Sequence, residues 1–264
     1  MLIALVGKGG VGKTTVSSAL ALELAKKGKT AIVSSDFMSS LRHIFPSDPV
    51  GLKVMEMKEN EVAEKWKERY GKEVNTVLKQ FFNVDPWIID HIAESPGVAE
   101  EFMISTIIDQ ENSGEYDYVV WDTAASSSTM HLLMLEKEFY EHLDRDVMLF
   151  LKVRDRFHTE KVIKLLEEWK DLAKKIWEKL EQTSFFLVTT NDELSVLQAK
   201  EIEEDFRQMG LRIHGKICNR CAQGLPEEFI LQIPEYHGAA REIVEKISSG
   251  LKPSFIESAL EPLP

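Results

Sequence analysis

GKGGVGKTT, residues 7–15, is the stretch from which the fold of this chain can be read. Gly7, Gly12, Lys13 and Thr14 meet the spacing GxxxxGK[ST] of a phosphate-cradling loop. MLIALV before it is a short apolar run suited to a buried strand, and TTVSSALALELAKKG after it has helical spacing and ends in Gly28. Glycines at 9, 10 and 12 let successive backbone N–H groups turn inward, forming an anion-binding nest at the N-terminus of the following helix. A triphosphate fits such a nest, with Lys13 placed to meet its β and γ phosphates and the Thr14 hydroxyl to ligate Mg2+. Gly9, Gly10, Val11, Gly12 and Thr15 complete the expected phosphate contacts.

Further along, TAIVSSD, YDYVVWD, SFFLVTT and KICN are apolar runs like LIALV, separated by amphipathic stretches of ten residues or more. That alternation predicts an α/β fold, a mostly parallel P-loop NTPase sheet with helices on both faces. Residues 56–112 read as helical, broken near Asp85 and Pro86 and again at 95–97, and residues 136–182 as a second charged helical stretch. With no repeat, low-complexity tract or Pro/Gly/Ser linker, the expectation is a single domain over 1–264 with two helical elaborations.

A net charge of −12 argues against a nucleic-acid-coating role, which needs clustered Lys and Arg. No stretch approaches the roughly 18 unbroken apolar residues of a membrane span, and the chain opens directly into a strand, so a cytoplasmic protein without stable membrane insertion is expected. Two cysteines are too few for a disulfide framework.

Two aspartates close strand runs, Asp36 in AIVSSD and Asp122 in YVVWD. In a parallel sheet both carboxylates face the phosphate loop, where such a pair suits Mg2+ organisation and activation of an attacking water. Asp36 has two readings, water activation or Mg2+ ligation. Lys8 is a second lysine at the front of a loop that already has Lys13; following Gly7 at a strand end, it need not point into its own nest.

The segment 8–14, KGGVGKT, resembles the deviant Walker A class of P-loop ATPases with its KGGxGK[ST] signature. Around the two aspartates the resemblance narrows to the ArsA/Get3 family, the arsenite-pump ATPases and tail-anchored-protein targeting factors, and it extends to SPGVAEEF at 95–102, EYDYVVWDTA at 115–124 and TSFFLVTTNDELSVLQAKEI at 183–202. It implies a nucleotide-sandwich homodimer in which Lys8 reaches phosphates bound by the partner, Asp36 orients or deprotonates the attacking water, and Asp122 holds the Mg2+ shell. The alternative for Lys8 is a solvated surface lysine. Two switch segments depart from the family pattern. Phe37, Met38 and Ser39 replace the usual Pro, Ala and His after the first aspartate, and Ala125, Ser127 and Ser128 replace Pro, Gly and His after the second.

Base choice favours ATP, because TTND at 189–192 lacks the lysine of a guanine-reading [NT]KxD motif. Asn219 matches the adenine-contacting asparagine of the family, and Ile233, Pro234 and Glu235 match a loop bordering the base. A strand-end turn residue is the plainer reading of Asn219. CNRC at 218–221 flanks it, read either as inert cysteines or as a thiol site for a metal or metalloid.

TEKVIKLLEEWKDLAKKIWEKL sets Val162, Leu166, Trp169, Leu172, Ala173, Ile176 and Leu180 at helical spacing. That face packs on the core or forms a groove for a hydrophobic client helix, with Trp169 and Trp177 as anchors. The resulting expectation is an Mg2+-dependent, ATP-hydrolysing homodimeric switch acting on a protein client. The competing readings are an ATP-binding switch with negligible turnover and a ParA/MinD-like positioning ATPase.

Overall fold

Seven short segments become strands: β1 (Leu2–Val6), β2 (Thr30–Ser34), β3 (Leu52–Glu56), β4 (Tyr118–Asp122), β5 (Ser184–Thr189), β6 (Ile213–Asn219) and β7 (Phe229–Ile233). The structure, a computed structural model, describes residues 1–36, 38, 40–81, 98–124, 129, 133, 134, 137, 160–221 and 228–261. The strands lie in the order β3-β2-β4-β1-β5-β6-β7, and every pairing is parallel. The P-loop NTPase-like α/β fold read from the sequence is therefore present, with a sheet that is parallel throughout. β1, β2 and β5 are buried along their whole length, as uninterrupted apolar runs in a covered parallel sheet must be.

The sequence reading omitted β3 and β7, the two edge strands. β3, LKVME, buries Leu52 and Val54 while Lys53 is exposed, and Glu56, expected to open a helical region, is its last residue. Alternation over so few residues is a weak strand signal, because an edge strand is covered on fewer sides.

The helices among the described residues are α1 (Lys13–Leu24), α2 (Leu41–Ile44), α3 (Glu59–Phe81), α4 (Val98–Asn112), α5 (Glu160–Glu181), α6 (Glu193–Met209), α7 (Ala240–Gly250) and α8 (Pro253–Leu260). Helices α1, α7 and α8 pack on one face of the sheet and α6 on the other. On one face Phe186 and Val188 of β5 join Val16, Leu20 and Leu24 of α1, Val244 and Ile247 of α7, and Phe255 and Ile256 of α8 in a single apolar cluster. On the other face Phe185 meets Phe206 of α6 edge-on, with ring centroids 4.9 Å apart, and lies 6.4 Å from the Trp121 ring of β4. Each such buried aromatic contributes roughly 1.5–3 kcal/mol, and an edge-on pair about 0.5–1.5 kcal/mol more.

The chain divides into two compact units. The first comprises Met1–Met57, Ile107–His131 and Leu180–Pro264 and holds the sheet. The second comprises Lys58–Thr106 and Leu132–Lys179. Within it, Tyr70 of α3 meets Phe102 of α4 edge-on at 5.8 Å, and the Arg69 guanidinium lies 5.4 Å from the Tyr70 ring. Along α5, Ala173, Ile176 and Leu180 are buried, as the helical spacing predicts for a packed face. The side chains of Val162, Leu166 and Trp169 lie outside the described residues, as do the expected helix breaks at Asp85, Pro86 and 95–97. Among the described residues no helix is long and apolar enough to cross a membrane.

Candidate nucleotide site

β1 ends at Val6 and α1 begins at Lys13, so the glycine-rich segment occupies the turn between strand and helix. Gly10 and Gly12 have left-handed backbones, φ +85° and +90°, which glycine adopts without steric cost. A Cβ on Gly12 would collide with Nδ2 of Asn219, whereas one on Gly10 would meet nothing within 4 Å. The loop is thus backed by Asn219 and open at Gly10.

The loop carbonyls are held by side chains and by the first helical amides. Lys13 Nζ donates to the carbonyls of Gly7 at 2.9 Å and Lys8 at 3.2 Å. Arg220 Nη2 donates to that of Gly10 at 2.6 Å, and Asn219 Nδ2 to that of Val11 at 2.8 Å. The Gly12 carbonyl accepts the first helical bonds, from the amides of Thr15 at 3.1 Å and Val16 at 3.0 Å. In a trans peptide the carbonyl of one residue and the N–H of the next point in opposite directions, so the held carbonyls of Gly10, Val11 and Gly12 aim the amides of Val11, Gly12 and Lys13 the other way. The result is a set of backbone donors at a helix N-terminus, the chemistry of an anion cradle.

Beside this cradle sits Asp122, the last residue of β4, with only 1% of its surface exposed. Ser17 Oγ donates to its Oδ1 at 2.9 Å, and the Thr14 hydroxyl also bonds to its carboxylate. Burial pushes the Asp122 carboxyl up to about 6; the Ser17 and Thr14 hydrogen bonds and the charge of Lys13 oppose that rise, while the charge of Asp36 adds to it. Lys13 is 7% exposed, and burial holds its ammonium below the usual lysine range against the pull of Asp122 and Asp36. Lys13, Thr14, Asp36 and Asp122 therefore share one electrostatic neighbourhood. A buried carboxylate drawn toward neutrality, beside hydroxyls and a cradle of N–H donors, suits a divalent cation with its phosphate ligands. Magnesium needs one or two protein ligands in such a site, and among the described residues no larger cluster of His, Cys, Asp and Glu is present.

Asp36 lies two residues beyond the end of β2 rather than on the strand, half-buried. Its amide donates to Ser34 Oγ at 3.2 Å, and its own Oδ1 accepts the amide of Met38 at 2.9 Å, a local turn that leaves Met38 91% exposed. The preceding Ser35 ties the two strand ends together. Its amide donates to the Asp122 carbonyl at 3.1 Å, and its hydroxyl accepts Trp121 Nε1–H at 2.9 Å. The substituted switch positions Phe37, Ser39, Ala125, Ser127 and Ser128 lie outside the described residues.

Lys8 is half-buried at the front of the loop. Asp192 is held well below the usual carboxylate range, chiefly by hydrogen bonds from Ser195 and Thr190, with the Lys8 charge a smaller contribution. Asn219 closes β6 opposite Ile233 of β7, and the exposed Pro234 and Glu235 leave the sheet there. Cys218 and Cys221 are buried and joined as a disulfide, Cα–Cα 5.9 Å, across a turn that Arg220 makes in the left-handed region, φ +55°.

The sequence reading missed three contributors, Ser17, Ser35 and Arg220. Ser17 stands one helical turn after Thr14, and that i,i+3 spacing was the available signal. Ser35 immediately precedes Asp36, and Arg220 directly follows Asn219, yet their partners are 86 and 210 positions away.

The family model described as "Anion-transporting ATPase" matches residues 1–259. The chain is 29% identical to "Putative arsenical pump-driving ATPase 2" of Aquifex aeolicus, covering 95% of this chain and 88% of that protein. It is 25% identical to "ATPase ASNA1 homolog 1" of Paramecium tetraurelia, covering 81% and 73% of the two chains. Against the "Arsenical pump-driving ATPase" of Escherichia coli it is 25% identical over 98% of its own length but only 43% of that protein. With the match running almost end to end, the chain belongs to the anion-transporting ATPase family that includes the arsenical-pump and ASNA1/GET3 ATPases.

Proposed function

We propose that this chain is an Mg2+-dependent ATPase, a single ATPase domain with helical elaborations that works as a cytoplasmic, nucleotide-gated homodimer and couples closure to a protein client. The observation that supports this best is the buried Asp122, bonded by Thr14 and Ser17 beside a loop whose carbonyls are held outward. ATP would supply the phosphoanhydride and Mg2+ the charge that offsets the phosphates. In this reading the backbone of 9–15 holds phosphate oxygens, and Thr14 and Asp122 hold the cation. Lys13 turns from the Gly7 and Lys8 carbonyls toward the phosphates. Asp36 orients the attacking water and takes its proton, with Mg2+ ligation as its other role, and Lys8 reaches into the site of a second copy.

Asn219, Pro234 and Glu235 border the base. With Nδ2 directed to Val11, the Asn219 side-chain oxygen is left to accept from an exocyclic amine, which adenine has at the position where guanine carries a carbonyl. The relatives named for arsenical pumps, and the resemblance to targeting factors, support a coupled partner. A hydrophobic client helix would need a surface other than the C-terminal half of the α5 face, where Ala173, Ile176 and Leu180 are already buried.

The test is ATP turnover by the purified protein with and without Mg2+, alongside Asp36→Asn. Asp36→Asn is expected to keep ATP binding and lose turnover by about 100-fold or more. Parent-rate hydrolysis by that variant would remove Asp36 from the water-activating role. Absence of turnover in the parent protein, with ATP binding intact, would favour the non-hydrolysing switch.

A further inference from the structure

Arg220 is the only non-glycine residue with a left-handed backbone among the described residues. Glycine or asparagine adopts that conformation more easily, so an arginine there points to a use for its side chain. The guanidinium crosses from the β6–β7 connection to the phosphate loop and donates Nη2–H to the Gly10 carbonyl at 2.6 Å. Its backbone is set independently: Asn219 ends β6 in register with Ile233, Cys221 N–H donates to the Ile233 carbonyl at 2.9 Å, and the Cys218–Cys221 disulfide closes the turn. Gly10, by contrast, is left-handed, with nothing within 4 Å of where a Cβ would stand.

We propose that Arg220 is a positioning residue of the nucleotide site, holding the Gly10 carbonyl outward so that the Val11 amide stays aimed at the bound phosphates. Peptide planarity makes the link, since fixing the carbonyl of residue 10 fixes the N–H of residue 11. Asn219 does the same for the amide of Gly12 through the Val11 carbonyl. These two restraints differ from those that Lys13 places on the Gly7 and Lys8 carbonyls. An ammonium drawn to a phosphate gives up those carbonyls, whereas Arg220 and Asn219 hold theirs from the far side of the loop. Arg220 therefore keeps the Gly10–Val11 peptide oriented in the state where the cradle is used, and its contribution is to affinity through preorganisation.

The proposal rests on the nucleotide-site reading above, and its test separates the two. Mg2+ with a fluorescent, non-hydrolysable ATP analogue is titrated into the parent protein, Arg220→Gly and Arg220→Lys, and thermal midpoints are measured without nucleotide. Arg220→Gly relieves the left-handed backbone, so it is expected to melt at or above the parent temperature while its Kd rises about three- to tenfold, the effect of losing one charge-assisted hydrogen bond. Arg220→Lys keeps the charge without the planar fork and is expected to fall between the two. In turnover, Arg220→Gly should raise KM with kcat little changed. Equal Kd values for parent and Arg220→Gly would overturn the proposal and leave the nucleotide site standing. A lower midpoint for Arg220→Gly in step with its weaker binding would also overturn it, making Arg220 a structural residue. A parent protein that does not bind the analogue would overturn the nucleotide reading itself.

Discussion

Ser17 in the second turn of α1 donates its hydroxyl to Asp122 at the end of β4 at 2.9 Å, joining residues 105 positions apart. With Thr14 it supplies the hydrogen bonds that keep a fully buried carboxyl from rising still further. Ser17→Ala leaves that buried carboxylate short of a donor. The expected outcomes are a stability loss of about 1–3 kcal/mol in urea unfolding and a several-fold higher Mg2+ requirement for ATP turnover. Unchanged values for both would show that the bond carries neither role.

Asp122 also makes the metal-free protein sensitive to pH. Its folded value of about 6 lies above the ordinary 3.8, so the folded state binds the proton more tightly than the unfolded chain. The contribution to stability is full below about pH 4 and is lost as pH rises through about 6, on the order of 2–3 kcal/mol. Unfolding by urea without nucleotide or divalent cation, at intervals from pH 4 to 8, should show this loss superimposed on the titration of other groups. Asp122→Asn should flatten that part of the profile. An identical profile in the variant would assign the pH dependence elsewhere.

Lys8 is expected to act on the site of a second copy. Lys8→Ala and Asp36→Asn should each be nearly inactive alone, and mixing them should restore turnover through heterodimers holding one intact composite site. Mixed dimers that form, as judged by mass spectrometry, yet never hydrolyse ATP would confine Lys8 to its own subunit.

If closure performs external work, some surface must differ between nucleotide states, because a ligand shifts an equilibrium only by its differential affinity. Amide exchange with and without a non-hydrolysable ATP analogue should therefore change in α3, α4 and α5 as well as in 7–15 and around Asp36 and Asp122. Changes confined to the loop and switches would leave the second unit as passive structure and favour an ATPase without a client at those helices.

The sequence by itself determined the parts of this protein whose chemistry is contiguous. A strand, a glycine turn and a helix fall within residues 2–24, so spacing alone announces the cradle, and uninterrupted apolar runs announce β1, β2, β4 and β5. Asp36 and Asp122 were legible because a parallel sheet delivers its strand ends to one crevice. Tertiary structure decided what depends on strand order and on side chains meeting across the fold. β3 and β7 read weakly because edge strands are covered on fewer sides, and nothing local marks where they pair. The donors that shape the site are Ser17 on Asp122, Trp121 on Ser35, Asn219 on Val11 and Arg220 on Gly10, joined across 86 to 210 positions. A polar side chain carries no sign of its partner in its own neighbourhood. Only the sheet, by setting β6 and its following turn against the loop after β1, turned an arginine beside a candidate base-reading asparagine into a restraint on the phosphate cradle.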